Sequence, residues 1–191
     1  FCNNKKLPLP LFMVIKTGNH VLETRNIGIL EDIVDGKGLE EEGEIKKMIK
    51  FCNEENIMIK EHNGDYLGES TLRYHPKIGI HGINVAPEFG VIETKAILTY
   101  FEQNNLEGFK EKFIDIAYNS KKWEKWIMPN STTTKNDKAI ISGHYVFSSP
   151  EFKILKNEIL EKIDEKENFD KFLKSEIKKS IMKYLKNLKM V

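Results

Sequence analysis

The stretches KEHNGDYL (Lys60 to Leu67) and HGINVAPE (His81 to Glu88) gather the side chains best suited to chemistry. Each follows a short apolar run, so each delivers polar groups from what reads as the end of a buried strand. Glu61 and Asp65 are the candidate proton-transfer residues, because burial can raise a carboxylate toward neutral pH for general acid–base work. His62 and His81, on successive strands, could meet at one divalent ion, and neutral imidazoles with a carboxylate suit zinc or a similar metal. Neither a helical HExxH nor tight Cys/His spacing accompanies them, and a single histidine at a strand end is more often a hydrogen-bonded structural residue than a ligand. Lys16, Asn63, Gly82, Asn84 and Glu88 are the candidate substrate contacts. Asn84 would point inward, Gly82 lets backbone approach a ligand, and Pro87 and Glu88 open a helix whose free N–H groups would favour phosphate. Glu88 would also complement that helix dipole with no ligand at all. Lys60 and Glu61 alternate faces, so at most one of them points into a shared interior.

The elements that must position these groups follow from periodicity. The run Leu11 to Ile15 predicts a strand, Glu44 to Glu55 a helix, and NIMIKEHN a second strand. Ser70 to His75 predicts a short helix stopped by Pro76, with His75 structural or solvent-facing. A third strand is expected over about residues 78–85, then helices over Ile92 to Phe101 and Leu106 to Tyr118. KKWEKWIMP reads as a short helix, NSTTTKND as a polar loop offering N-caps, and Asp137 to Phe147 as a further helix. Phe152, Leu155 and Ile159 make one apolar stripe; Phe169, Phe172, Leu173, Ile177, Ile181, Tyr184, Leu185 and Leu188 make another.

Strand–helix alternation followed by helices argues α/β, with a parallel sheet. Three strands do not close a barrel, and a complete (β/α)8 barrel needs about 250 residues. The expectation is therefore the carboxyl-terminal portion of such a TIM-type barrel over residues 1–130, incomplete, followed by a helical extension over 131–191. The opening FCNNKKLPLP lacks an initiator methionine and begins beside an apolar run, which fits a processed chain or a fragment.

Bulk numbers narrow the class. The chain has 191 residues, 40% hydrophobic and 31% charged, with a formal net charge of +1, a globular composition. Nucleic-acid binders usually carry a basic excess, so no nucleic acid is expected as a partner. No apolar run approaches the roughly 18 residues of a membrane span, so no membrane partner is expected either. Cys2 and Cys52 are too few for a disulfide framework, and a reducing cytoplasm is the default location.

The strings IMIKEHNGDYL, IGIHGINVAPEFGVIET and KKWEKWIMPNSTTTKNDKAIISGHYVF resemble the carboxyl-terminal part of the accessory subunits of class II tagatose-bisphosphate aldolase. Glu61, His62, Asn63, Asp65 and Tyr66 carry the family's acidic–histidine–aspartate pattern, and the similarity spans about Leu11 to Phe152. The resemblance implies a β/α barrel subunit in carbohydrate catabolism that supports a catalytic class II aldolase subunit, within an oligomer handling sugar phosphates. One departure matters. His81-Gly82-Ile83-Asn84 stands where the accessory pattern has Lys-Val-Gly-Pro, and GINVAPE is reminiscent of the Asn-Val-Ala-Thr-Glu stretch of the catalytic subunits. A metal-dependent sugar-phosphate or sugar-acid aldolase or epimerase is therefore the competing expectation.

Overall fold

The computed structural model describes residues 5–191 except 16, 18, 129, 164 and 165, with backbone alone for 15, 39, 166 and 167. It is a mixed α/β protein, 61% helical, with one three-stranded parallel sheet. Two compact units divide it. The first comprises residues 1–21, 25–86 and 183–191; the second comprises residues 22–24 and 87–182. Compactness therefore divides the chain after Ala86, whereas the sequence pattern changes character near residue 130.

The sheet unit begins with β1 (Phe12–Ile15), an apolar run as expected. A small hairpin, β2 (Val21–Leu22) and β3 (Arg25–Asn26), of which residues 22–24 count with the second unit, and helices α1 (Leu30–Val34) and α2 (Leu39–Glu54) follow. Strand β4 (Met58–Glu61), helix α3 (Glu69–Ile78) and strand β5 (Gly82–Ile83) complete the alternation. The order is β1-β4-β5, with Met13 beside Ile59, Lys60 beside Gly82 and Glu61 beside Ile83. Ile45, Ile49 and Cys52 turn one face of α2 into a core with Leu30, Ile33, Ile57, Ile59 and Ile80. Met48, which the spacing also assigns to that face, is 40% exposed.

Strand alternation now decides which way each candidate points. Met13 packs against the helix-covered core and its register partner Ile59 lies within it; Glu61, two residues on from Ile59, shares that face. Phe12, Val14, Met58 and Lys60 occupy the other face, where Phe12 and Val14 stay 38% and 53% exposed.

Two local expectations need correction. Helix α3 does not stop at Pro76 but continues to Ile78. A proline so near the end removes one ladder hydrogen bond, and Gly79, at φ 92, then closes the helix by donating to the His75 carbonyl. The third strand is only two residues long, because residues 78–80 are taken by the helix end and its cap.

The second unit is helical: α4 (Pro87–Gln103), α5 (Glu107–Asn119), α6 (Lys135–Ser142), α7 (Pro150–Lys162) and most of α8 (Lys166–Asn187). Thr134 and Asp137 form a reciprocal capping box at the start of α6, and Ser149 caps α7 ahead of Pro150. The core is aromatic: Phe101, Phe113, Phe152 and Phe169 are buried with Tyr100, whose ring meets Phe169 edge-on at 4.8 Å.

Candidate functional site

The carboxylate of Glu61 lies at the end of β4, wholly buried, and turned under α3. It accepts the Thr17 hydroxyl at 2.5 Å and the Asn19 side-chain amide on Oε1, and its Oε2 meets His75 Nε2. His75 is itself buried, and its Nδ1 sits 2.7 Å from the Thr71 carbonyl one helical turn back. A carbonyl only accepts, so Nδ1 carries a proton. The Nε2–Glu61 contact then closes only with a second proton between imidazole and carboxylate, shared as an ion pair or as a neutral acid–base pair. A buried charge without such partners would cost several kcal/mol, so the cluster is strongly determined by its own donors.

The loop that follows is fastened residue by residue. Asn63 and Tyr66 adopt φ 61 and φ 60; asparagine enters that left-handed region readily, whereas tyrosine holds it only when its surroundings impose it. Asn26 supplies part of that constraint, donating its amide to the carbonyls of Asn63 (2.8 Å) and Asp65 (2.9 Å). Gly64 donates to the Asn84 carbonyl at 2.8 Å and accepts the Tyr184 hydroxyl at 3.0 Å. No side chain fits at Gly64, since a Cβ there would meet Ile83 at 2.1 Å. Asn63 donates its side-chain amide to the Asn19 carbonyl at 3.2 Å. The Asp65 carboxylate, nearly fully buried, accepts the N–H of Ala86 at 2.9 Å, just before α4 begins.

The structure thus brings Glu61, Asn63 and Asp65 into one bracket, together with Thr17, Asn19, Asn26, Thr71 and His75. His62 projects into solvent and Glu88 is buried. His81 is exposed, and its Nδ1 accepts the Ile59 N–H at 3.2 Å. The Asn84 N–H is used on the Glu61 carbonyl at 3.1 Å. Lys16 lies outside the described residues. A cleft of about 490 Å³ runs past His75, Gly79, His81 and Gly82 to Leu188 and Met190, so of the expected site residues it is lined by His81 and Gly82.

Among the described residues no group of three or more His, Cys, Asp or Glu side chains converges on one point. The phosphate expected before α4 meets a competitor already in place: the Ala86 N–H that would greet an anion holds Asp65. Of the two places the sequence left open for His75, structural or solvent-facing, the structure takes the first; Asn26 and Thr71 are the participants that sequence reasoning passed over. The signal for His75 was its position four residues after Thr71 and three after Leu72, on the buried side of α3.

No protein-family model, curated protein or solved structure matches the chain.

Proposed function

We propose that the chain is a barrel-type α/β subunit of a class II tagatose-bisphosphate aldolase system, one that supports a catalytic subunit without cleaving substrate itself. The observation that carries this reading is the use of its carboxylates. Glu61 and Asp65, the residues an active subunit would need for proton transfer, are buried and committed to the chain's own donors. A general base must reach the proton it removes, and a carboxylate closed off by protein donors does not.

A second observation favours a partner. The parallel sheet has one face covered by helices, while Phe12 and Val14 on the other stay open, and Leu7, Leu9 and Leu11 before them are 50%, 46% and 68% exposed. Parallel sheets are normally covered on both faces, and an apolar surface of this kind suits a subunit contact or neighbouring barrel strands.

Cleavage of tagatose bisphosphate tests the proposal, measured for the purified chain alone, with added zinc, and with a catalytic class II subunit. The expected result is silence alone and a higher, longer-lived rate with the partner. Metal-dependent turnover by the chain itself, lost in His81→Ala, would replace the proposal with an enzyme.

A further inference from the structure

The cleft of about 490 Å³ beside β5 falls within the roughly 300–1,000 Å³ usual for ligand pockets. All of its lining belongs to the sheet unit. Pro76, Ile80, Ile83, Leu188 and Met190 make the walls apolar, and no Asp, Glu, Lys or Arg lines them among the described residues.

The wall from the end of α8 is built before any ligand arrives. The Arg73 guanidinium of α3 donates to the Asn187 side-chain oxygen at 2.7 Å, and the Lys183 ammonium donates to the Leu67 carbonyl at 3.0 Å. Lys189 then adopts φ 58, and the Met190 N–H returns to the Leu185 carbonyl at 2.9 Å. That is the closing bond of a Schellman cap, and it sets Leu188 and Met190 in place.

One polar group is left over. His81 Nδ1 accepts the Ile59 N–H, and a backbone N–H only donates. Nδ1 therefore keeps its lone pair and the ring proton sits on Nε2, which has no hydrogen-bond partner among the described residues. His75, the other imidazole in the wall, has both nitrogens spent on Thr71 and Glu61.

The geometry points to a binding site for a small uncharged apolar molecule with a hydrogen-bond acceptor, such as a ketone or an ester. Its acceptor takes the His81 Nε2–H, and its hydrocarbon lies against Ile80, Ile83 and Leu188. The lining selects this class. A carboxylate or phosphate would meet no cation among the described lining residues, and charging His81 would set a second N–H against that of Ile59. A pure hydrocarbon would cover the Nε2–H and leave it unpaired, which costs binding. Such a ligand is unlike a sugar phosphate, so the site is independent of the aldolase-subunit proposal.

Prodan, an uncharged dimethylaminonaphthalene ketone whose emission shifts to the blue in apolar surroundings, provides the test when titrated into the full chain. Saturable, micromolar binding is expected. Dimethylaminonaphthalene, without the ketone, should bind about fivefold more weakly, the scale of one neutral hydrogen bond. Dimethylaminonaphthoate, with a carboxylate in the ketone's place, should bind more weakly still. His81→Asn keeps an acceptor for the Ile59 N–H and removes the Nε2–H, so it should cost prodan about fivefold and dimethylaminonaphthalene nothing. Met190→Glu, at a position 67% exposed, should weaken both probes at an unchanged melting temperature. Leu11→Glu, on the exposed segment before β1, should weaken neither. Absence of saturable binding overturns the site, as does tighter binding of the naphthoate or full prodan affinity in His81→Asn. Equal losses in Leu11→Glu and Met190→Glu overturn it by moving the probe to the open sheet face. A dimer that Met190→Glu dissociates would give the cleft to a second copy of the chain, and that overturns it too.

Discussion

In the sheet unit the largest fully buried side chains include a carboxylate and an imidazole, Glu61 and His75; in the helical unit the largest are apolar, Phe101, Phe113, Phe169, Ile97 and Ile159, and the fully buried polar groups are the small hydroxyls of Thr94 and Ser142. The helical unit is held by contacts that have no direction and scale with area. The sheet unit adds a network in which every member needs a particular partner at a particular angle. Apolar packing loses stability in proportion to what is cut away. A buried polar network loses more, since each deletion strands the groups that remain. The residues most suggestive of catalysis therefore act here as the fastening between β4, α3 and the segment after β1.

The largest expected effects set these two modes side by side. Glu61→Ala removes the acceptor for Thr17, Asn19 and His75 together, and breaking a buried pair of this kind costs about 3–5 kcal/mol. Phe101→Ala, at a fully buried aromatic, costs about 3–5 kcal/mol by cavity formation. The equal size is the point, because the repairs differ. Glu61→Gln restores an acceptor oxygen and should recover a large part of the loss, whereas Phe101→Leu should recover its share through volume alone. Hydrogen exchange across β4 and α3 reads the first pair, and exchange across α4 and α5 reads the second. If Glu61→Gln proved as damaging as Glu61→Ala, the charge itself would matter, and the fastening account would give way to a functional one.

Glycines sharpen the contrast at a smaller scale. Gly43 lies inside α2 with nothing within 4 Å of where a Cβ would stand, so Gly43→Ala should stabilise the sheet unit by about 0.5–1 kcal/mol through helix propensity. Gly90 lies inside α4, where an added Cβ would fall 2.5 Å from Cγ of His144. The same propensity gain is then set against about 1–3 kcal/mol of overpacking, and Gly90→Ala should destabilise. Thermal denaturation of the two variants checks the signs. Stabilisation by both would mean that the His144 ring yields easily and that the helical unit is packed less tightly than its aromatic contacts indicate.

Much of this was legible in the chain itself, and the gaps have physical causes. Long helices announced themselves through apolar spacing, so the stripe holding Phe101 and the tail stripe holding Phe169 and Leu173 were readable. The parallel strands β1 and β4 showed as short apolar runs. The hairpin of Val21–Leu22 with Arg25–Asn26 did not, because two-residue strands carry no period. Pro76 misled, since a proline marks a helix end only to within a turn. Most consequential was the facing of Lys60 and Glu61: a period of two says that they oppose each other, never which one is inside. That depended on α3 bringing His75 over the strand end, a tertiary fact. The approach of Asp65 to Ala86, which competes with the expected phosphate, also joins segments far apart in sequence and has no local signature.

The smallest expected effect is a pH dependence confined to the helical unit. Burial, reinforced by the neighbouring positive charge of Lys125, holds the His144 imidazole below its ordinary value of 6.5. The folded unit therefore binds that proton less readily than the unfolded chain does. Stability from neutral His144 is complete above the unfolded value and is lost as pH falls through the folded one. Trp123 and Trp126 both belong to this unit, so their fluorescence reports its unfolding without a signal from the sheet unit. The fluorescence-detected melting temperature should fall on acidification from about pH 7 to about pH 5, and His144→Gln should flatten that slope, since its amide does not titrate there. An unchanged slope in the variant would remove His144 as its cause. Glu93, whose carboxyl burial pushes up, acts in the opposite direction. A raised carboxyl also binds its proton more tightly in the folded state, so it would make stability rise on acidification. The sign of the slope, rather than its size, therefore separates the two groups.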